Sequence, residues 1–402
     1  MPLDTGDTSF MLVATALVMI MTPGLAFFYG GLVSRKNVLA IMMQSYVSMG
    51  VSTILWVAVG YSLCFSGDVG GIIGNLDMAF LRGIEPTDLF DGADGTIPLL
   101  LFVAYQMMFA IITPALITGA FANRITFKAY LIFLVAWQIL VYYPFVHMIW
   151  GGGMLADWGV LDFAGGIVVH ALAGMAALAS VIYVGKRRVE DAGAHNVPFV
   201  AIGAALLWFG WFGFNAGSEL AVDEVTAVAF INTQIAAAFA AITWLLLAWL
   251  YDGKPSFVEM LIGMIAGLAT ITPAAGFVSP QSAMLIGVAA GAVCYFAVVF
   301  RKKKGLDDAL DVWGVHGVGG ALGIIMLGVL ASESIGGQNG LYHGNQDFFM
   351  VQLAGLALAC VWAFAFTYGM LMMIDMITPV RVTDEAEAAL DVTLHGESAY
   401  TD

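Results

Sequence analysis

The sequence predicts an all-α integral membrane protein of eleven spanning helices, and three observations predict it. Of its 402 residues, 61% are hydrophobic and only 11% are charged, a balance that no soluble globular class has. Eleven apolar runs separated by polar breaks approach the roughly 20 residues a helix needs to cross about 30 Å of hydrocarbon. Basic residues then fall almost entirely on one side of an eleven-span chain, as they do where cytoplasmic loops collect Lys and Arg.

Taken in order, the runs cover residues 9–33, 38–65, 97–121, 129–150, 163–185, 197–217, 225–251, 257–271, 282–300, 312–330 and 348–377. The eighth is short and the last is long. The first is expected to be a retained helix, because the acidic start Met1-Pro-Leu-Asp-Thr-Gly-Asp7 lacks the basic segment that precedes the apolar core of a signal peptide. With the N-terminus outside, the inner segments hold Arg35, Lys36, Arg124, Lys128, Lys186, Arg187, Arg188, Lys254, Arg301, Lys302, Lys303, Lys304 and Arg381, leaving only Arg82 outside. A miscount of one span would scatter these bases over both sides, so the pattern predicts an N-out, C-in chain.

Net charge of −15 argues against nucleic-acid binding, which needs Lys and Arg to neutralise phosphates. Cys64, Cys294 and Cys360 lie far apart in apolar runs and read as small buried hydrophobes, with no disulfide or zinc framework. No cofactor or metal is expected. The outer segments are acidic, with Asp68, Asp77, Glu85, Asp88, Asp91 and Asp94 in one loop and Glu219, Asp223 and Glu224 in another. Such a mouth either concentrates cations or is an ordinary solvated surface.

Two histidines stand in apolar, glycine-dense stretches, His170 in the fifth span and His316 in the tenth. An ionisable group within a span is a functional candidate, since it usually faces a bundle interior or a polar pathway. Because five is odd, a five-helix unit repeated in tandem enters the membrane from opposite sides. The organisation is therefore a 5+5 inverted repeat over residues 1–380 with one further long helix, and the repeat axis would bring both histidines together near the midplane. Small residues beside each, such as Gly174 and Ala177 or Gly317 and Gly320, let helices approach closely. The alternative is a pair of buried histidines, each satisfied by a neighbouring hydroxyl or carbonyl.

At these residues the chain resembles the ammonium transporters of the Amt/Mep/Rh superfamily, in their microbial Amt branch. The likeness runs nearly end to end. It includes Thr22-Pro-Gly-Leu-Ala-Phe-Phe-Tyr-Gly-Gly-Leu-Val-Ser-Arg-Lys-Asn37, Gly119-Ala-Phe-Ala-Asn-Arg124, His147-Met-Ile-Trp-Gly-Gly-Gly153, Leu161-Asp-Phe-Ala-Gly-Gly166, Trp211-Phe-Gly-Phe-Asn-Ala-Gly-Ser218 and Asp311-Val-Trp-Gly-Val-His-Gly-Val-Gly-Gly320. The resemblance implies transport of ammonium, with methylammonium as a further substrate, by a homotrimer in the cell membrane with one hydrophobic pore per subunit. It implies that Trp150, Ser218 and Phe109 form an outer cation site, that Phe109 and Phe214 close the pore below it, and that His170 and His316 line the pore beneath. Asp162 would support the outer site, and Tyr105 departs from an expected Phe. The tail, residues 381–402, includes 391–400, similar to a family motif that couples the inner face to PII-type signalling proteins; a frayed acidic terminus is the plainer alternative.

The chemistry agrees with these implied roles. Ammonium has four N–H donors, so a selective site needs a π face, for which Trp is best, and an acceptor such as a Ser hydroxyl. Trp150 alone could equally be an interfacial belt residue. Asp162 precedes a helix and is placed to cap its free N–H groups. A bare cation in an apolar pore carries a large desolvation cost, which deprotonation removes; neutral histidines could then pass ammonia on and relay its proton separately. The rival readings are an ammonium sensor signalling through the tail, a passive gas channel of the Rh type, and an intramembrane enzyme. The last lacks a carboxylate-rich cluster or a histidine pair at helical ligand spacing.

Overall fold

The computed structural model describes residues 3–90, 95–189 and 193–400. Asp91 and Asp94 of the acidic outer loop, and Thr401 and Asp402 at the end of the tail, lie outside the described residues. Eleven helices are long and apolar enough to span a membrane. They are α1 Thr5–Leu32, α2 Val38–Phe65, α3 Leu99–Ile117, α4 Phe127–Asp157, α5 Gly166–Val184, α6 Val197–Glu219, α7 Glu224–Asp252, α8 Phe257–Ala274, α9 Pro280–Lys304, α10 Trp313–Leu330 and α11 Gln346–Asp375. All regular structure among the described residues is helical.

Their ends follow from local chemistry. Asp4 caps α1 by accepting from Gly6 N and Asp7 N, Asp223 forms a capping box with Thr226 on α7, and Ser279 caps α9 ahead of Pro280 at its first turn. Gly253 and Gly305 end α7 and α9 in the left-handed conformation that a Cβ disfavours. Ile54 and Leu250 stand among the exposed apolar side chains, as lipid-facing positions do.

Helix α1 packs on α6, α7 packs on α8 and α9, and α5 packs on α10 and α11. Glycine permits the closest approaches. A Cβ on Gly174 of α5 would stand 2.0 Å from Gly317 Cα of α10, and one on Gly203 of α6 would stand 2.2 Å from Phe28 N of α1. The spans are not uniform α-helix as their hydropathy suggests. Wider turns with i→i+5 bonds occupy Gly166–Ala171 of α5 and Trp313–Gly317 of α10, enclosing His170 and His316 respectively. Such turns are often found at functional sites.

The segments predicted to lie inside do gather on one face. Arg187 Nη2 is 2.7 Å from Asp307 Oδ1, and Arg124 Nη1 is 3.6 Å from its Oδ2. Although burial opposes it, the Arg187 bonds hold the Asp307 carboxyl below its ordinary range. Nearby, burial and the Asp311 charge push Asp308 up to about 6, and burial lowers Arg124 to about 10. Residues 381–395 of the tail are packed against the bundle. Thr126 N donates to Val380 O and Val382 N to Arg124 O, while the Asp391 carboxylate accepts from Leu39 N at 3.0 Å and Ala40 N at 2.8 Å at the start of α2. His395 rests edge-on against Phe127, far in the fold from the pore. Cys64 and Cys294 are buried as expected, whereas Cys360 is only half-buried.

Candidate functional site

On the face opposite that basic network, the bundle opens into a vestibule of about 670 Å³ whose lining includes Phe109, Trp150, Asp162 and Ser218. Trp150 stands just before the break in α4 at residues 151–153, and its Nε1–H donates to Asp162 O at 2.8 Å. That bond uses the only indole donor and fixes the ring, so what the vestibule meets is the π face. The Asp162 side chain does a separate task. Its carboxylate accepts from Gly165, Gly166, Ile167 and Val168 N at 2.6–3.1 Å, capping the start of α5. One residue thereby ties the wall of the vestibule to the helix that carries His170.

Ser218 Oγ donates to Phe214 O at 2.9 Å and lies 3.2 Å from Tyr105 Oη, which itself faces Gly213 O and Phe214 O at 2.9 and 3.0 Å. Both hydroxyl protons have partners inside the protein. Lone pairs on Ser218 remain for an N–H donor in the vestibule. The hydroxyl that Tyr105 adds is buried and is consumed in holding the α6 end, so it does not make the mouth more polar.

Below the vestibule the aromatic rings close up. Phe109 and Phe214 have centroids 4.4 Å apart with planes at 36°, a tilted contact in place of a parallel stack, and Trp150 meets Phe109 edge-on at 6.1 Å. Phe214 continues to His170 at 6.0 Å, and His170 to His316 at 5.2 Å with planes 19° apart. Here lies a narrow cavity of about 20 Å³, lined by both histidines, Trp211, Phe214, Phe28, Tyr29 and otherwise apolar side chains. A site needs roughly 10–15 Å³ to hold a water, so this one accommodates a molecule of water or ammonia and little more.

The two imidazoles share one contact, Nδ1 to Nδ1 at 3.2 Å. One ring must donate and the other accept, so both cannot be imidazolium. His170 Nε2 is buried without a partner, a cost tolerated where a ligand completes the bond. The alternative in which each histidine is satisfied by a neighbouring hydroxyl or carbonyl is not what the geometry contains.

One group escaped the sequence reading although its motif was noted. His147, three residues before Trp150, is fully buried and bonded at both nitrogens, Nδ1 to Cys64 O at 2.9 Å and Nε2 to Asp68 Oδ1 at 3.0 Å. Nothing in the local sequence identifies partners 79 and 83 residues away.

The profile of the Ammonium Transporter Family matches residues 9–400. An ammonium transporter of Bacillus subtilis (strain 168) is 46% identical over 407 aligned positions covering 100% of both chains. Among solved structures, Mep2 of Saccharomyces cerevisiae superposes with a TM-score of 0.88 at 32% identity, covering 95% of this chain and 88% of that one. A protein described as a sensor Amt protein superposes at 0.89 with 28% identity, covering 97% and 98%.

Proposed function

The chain belongs to the ammonium transporter family and moves ammonium across a membrane through a multi-pass helical bundle, and on that premise we propose the route it uses. Ammonium is recruited in the vestibule against the Trp150 and Phe109 rings, with Ser218 accepting one N–H. Desolvation at the Phe109–Phe214 contact favours loss of a proton, and neutral ammonia enters the cavity below. His170 and His316 accept and donate hydrogen bonds to it and relay the proton separately, so that transport is electrogenic. Asp162 holds the vestibule wall and the His170 helix in register. Methylammonium, one methyl larger, is a second substrate.

The observation that carries this reading is the unpartnered His170 Nε2 in a 20 Å³ cavity directly beneath closed rings. Such a cavity suits an uncharged small molecule and excludes a hydrated cation. In reconstituted liposomes, His170→Ala/His316→Ala should abolish the selectivity of ammonium-driven current over potassium. Intact current with intact selectivity would end the relay proposal.

We further propose that residues 1–380 form two inverted five-helix repeats, helices 1–5 and 6–10, with α11 at the periphery. The pairing of α1 with α6 and α5 with α10, and the matched wide turns around the two histidines, support this. The protein is proposed to be a homotrimer of the cell membrane with its N-terminus outside. The Arg124 and Arg187 contacts about Asp307 then face the cytoplasm, where residues 381–402 serve as a regulatory tail for a PII-type signalling protein.

A further inference from the structure

His147 belongs to a closed ring of contacts that ends at Trp150. Asp68 Oδ1 accepts from two donors, His147 Nε2 at 3.0 Å and Gly71 N at 2.8 Å. Gly71 O in turn accepts from Met154 N at 2.8 Å, and His147 O accepts from Gly151 N and Gly153 N, both at 3.0 Å. The backbone from 151 to 154 is therefore held from one side by His147 and from the other by the 68–71 turn. Packing leaves it no slack: a Cβ on Gly151 would stand 2.0 Å from Cys64 O, and one on Gly153 would stand 2.6 Å from Gly71 O. Trp150 sits at the head of this segment.

The ring faces a carbonyl oxygen at one nitrogen and a carboxylate oxygen at the other, so the fold holds it at both ends. The His147 bond holds the Asp68 carboxyl below its ordinary range, as expected of a carboxylate that accepts hydrogen bonds. The contact joins a fully buried ring to a carboxylate side chain that is 53% exposed, and so ties the interior of α4 to the outer turn.

We propose that the Asp68–His147 pair is a positioning clamp for the outer cation site: it fixes α4 at its break after Trp150 so that the Trp150 face is presented to ammonium at the distance where its attraction is useful. The proposal rests on the reading of Trp150 as part of that site. His147 does not touch the ion; it acts through the indole.

The full chain, reconstituted in liposomes, tests this by ammonium-driven current against concentration. Asp68→Asn and His147→Gln should each raise the half-saturating concentration about tenfold, the scale of one lost charged hydrogen bond, with maximal current within about twofold. Asp68→Glu, which keeps a carboxylate, should recover most of the affinity. Trp150→Leu should raise the half-saturating concentration, and adding Asp68→Asn should change it no further. An unchanged value for Trp150→Leu overturns the outer-site reading. A raised value for Trp150→Leu with an unchanged one for Asp68→Asn overturns the clamp and leaves the site standing, as does loss of maximal current at unchanged half-saturation. Should His147→Gln fail to fold, Asp68→Asn decides, because the Asp68 side chain is 53% exposed.

Discussion

The buried histidines of this protein divide into two kinds, and the difference lies in how many ring nitrogens the protein itself satisfies. His147 near the outer face has both occupied, one by a carbonyl and one by a carboxylate. His170 and His316 at the centre spend one nitrogen each on one another, and His170 Nε2 has no protein partner. A ring that the fold completes is part of the scaffold. A ring left open where water is nearly excluded is prepared for something that comes and goes. Burial alone cannot make this distinction, since His147 and His170 are both at or near zero exposure.

The comparison breaks most visibly if the open pair can be removed without effect. For His170→Ala/His316→Ala we expect selectivity of ammonium over potassium to fall on the order of 100-fold, about two hydrogen bonds' worth of discrimination, read from reversal potentials in liposomes. The clamp variants should leave that ratio unchanged while shifting half-saturation. Exchange of the two outcomes would mean that the kinds had been assigned the wrong way round.

The pair can also be disturbed without touching it. Gly174→Ala places a methyl 2.0 Å from Gly317 Cα, so α5 and α10 must separate and the 3.2 Å contact must lengthen. Overpacking of this sort costs about 1–3 kcal/mol, which should appear as a lower melting temperature in detergent together with lost current. Gly369→Ala on α11, with nothing within 4 Å of its Cβ, is the control and should melt at or slightly above the parent temperature.

Much of this was legible in the sequence, and what was not has a common cause. All eleven spans could be read because hydropathy over some 20 residues is a local property, and their bounds lie within four residues of the helices observed, except that the fourth was read to 150 and runs to Asp157. His170 and His316 could be paired because each stands in a like apolar, glycine-dense stretch, in the fifth and the tenth span, and the two rings do meet. By contrast, the wide turns at Gly166–Ala171 and Trp313–Gly317 leave no mark on hydropathy, since the same residues suit an α-helix. Tyr105 stands out in the sequence only as a departure from an expected Phe, and its distances to Gly213 O and Phe214 O show its hydroxyl turned inward. Asp68 was read as one of many outer acids; its role depends on a histidine in another helix.

Asp162 sharpens the comparison from the scaffold side. Asp162→Asn keeps one oxygen acceptor but replaces the other with an amide donor that faces backbone N–H groups. Loss of a charged cap costs about 1–2 kcal/mol. Because the same residue orients Trp150 through its carbonyl and starts the His170 helix through its side chain, both half-saturation and selectivity should shift together. A variant that altered only one would show that the outer and central sites are mechanically separate.

The smallest effect belongs to the tail. Asp391→Ala removes the acceptor for Leu39 N and Ala40 N, an N-cap worth about 1 kcal/mol. The backbone pairing at residues 124–126 and 380–382 and the Arg381–Glu387 contact at 3.0 Å stay in place. Release should therefore be confined to the segment after Leu390. Limited proteolysis should cut there faster in the variant while the melting temperature of the bundle and the half-saturating ammonium concentration hold steady. Since α2 carries Asp391's partners at its first turn and none of the pore residues, a change in selectivity would mean that the inner end of α2 bears on His170 and His316 after all. In that case the central pair would be no more independent of its scaffold than His147 is.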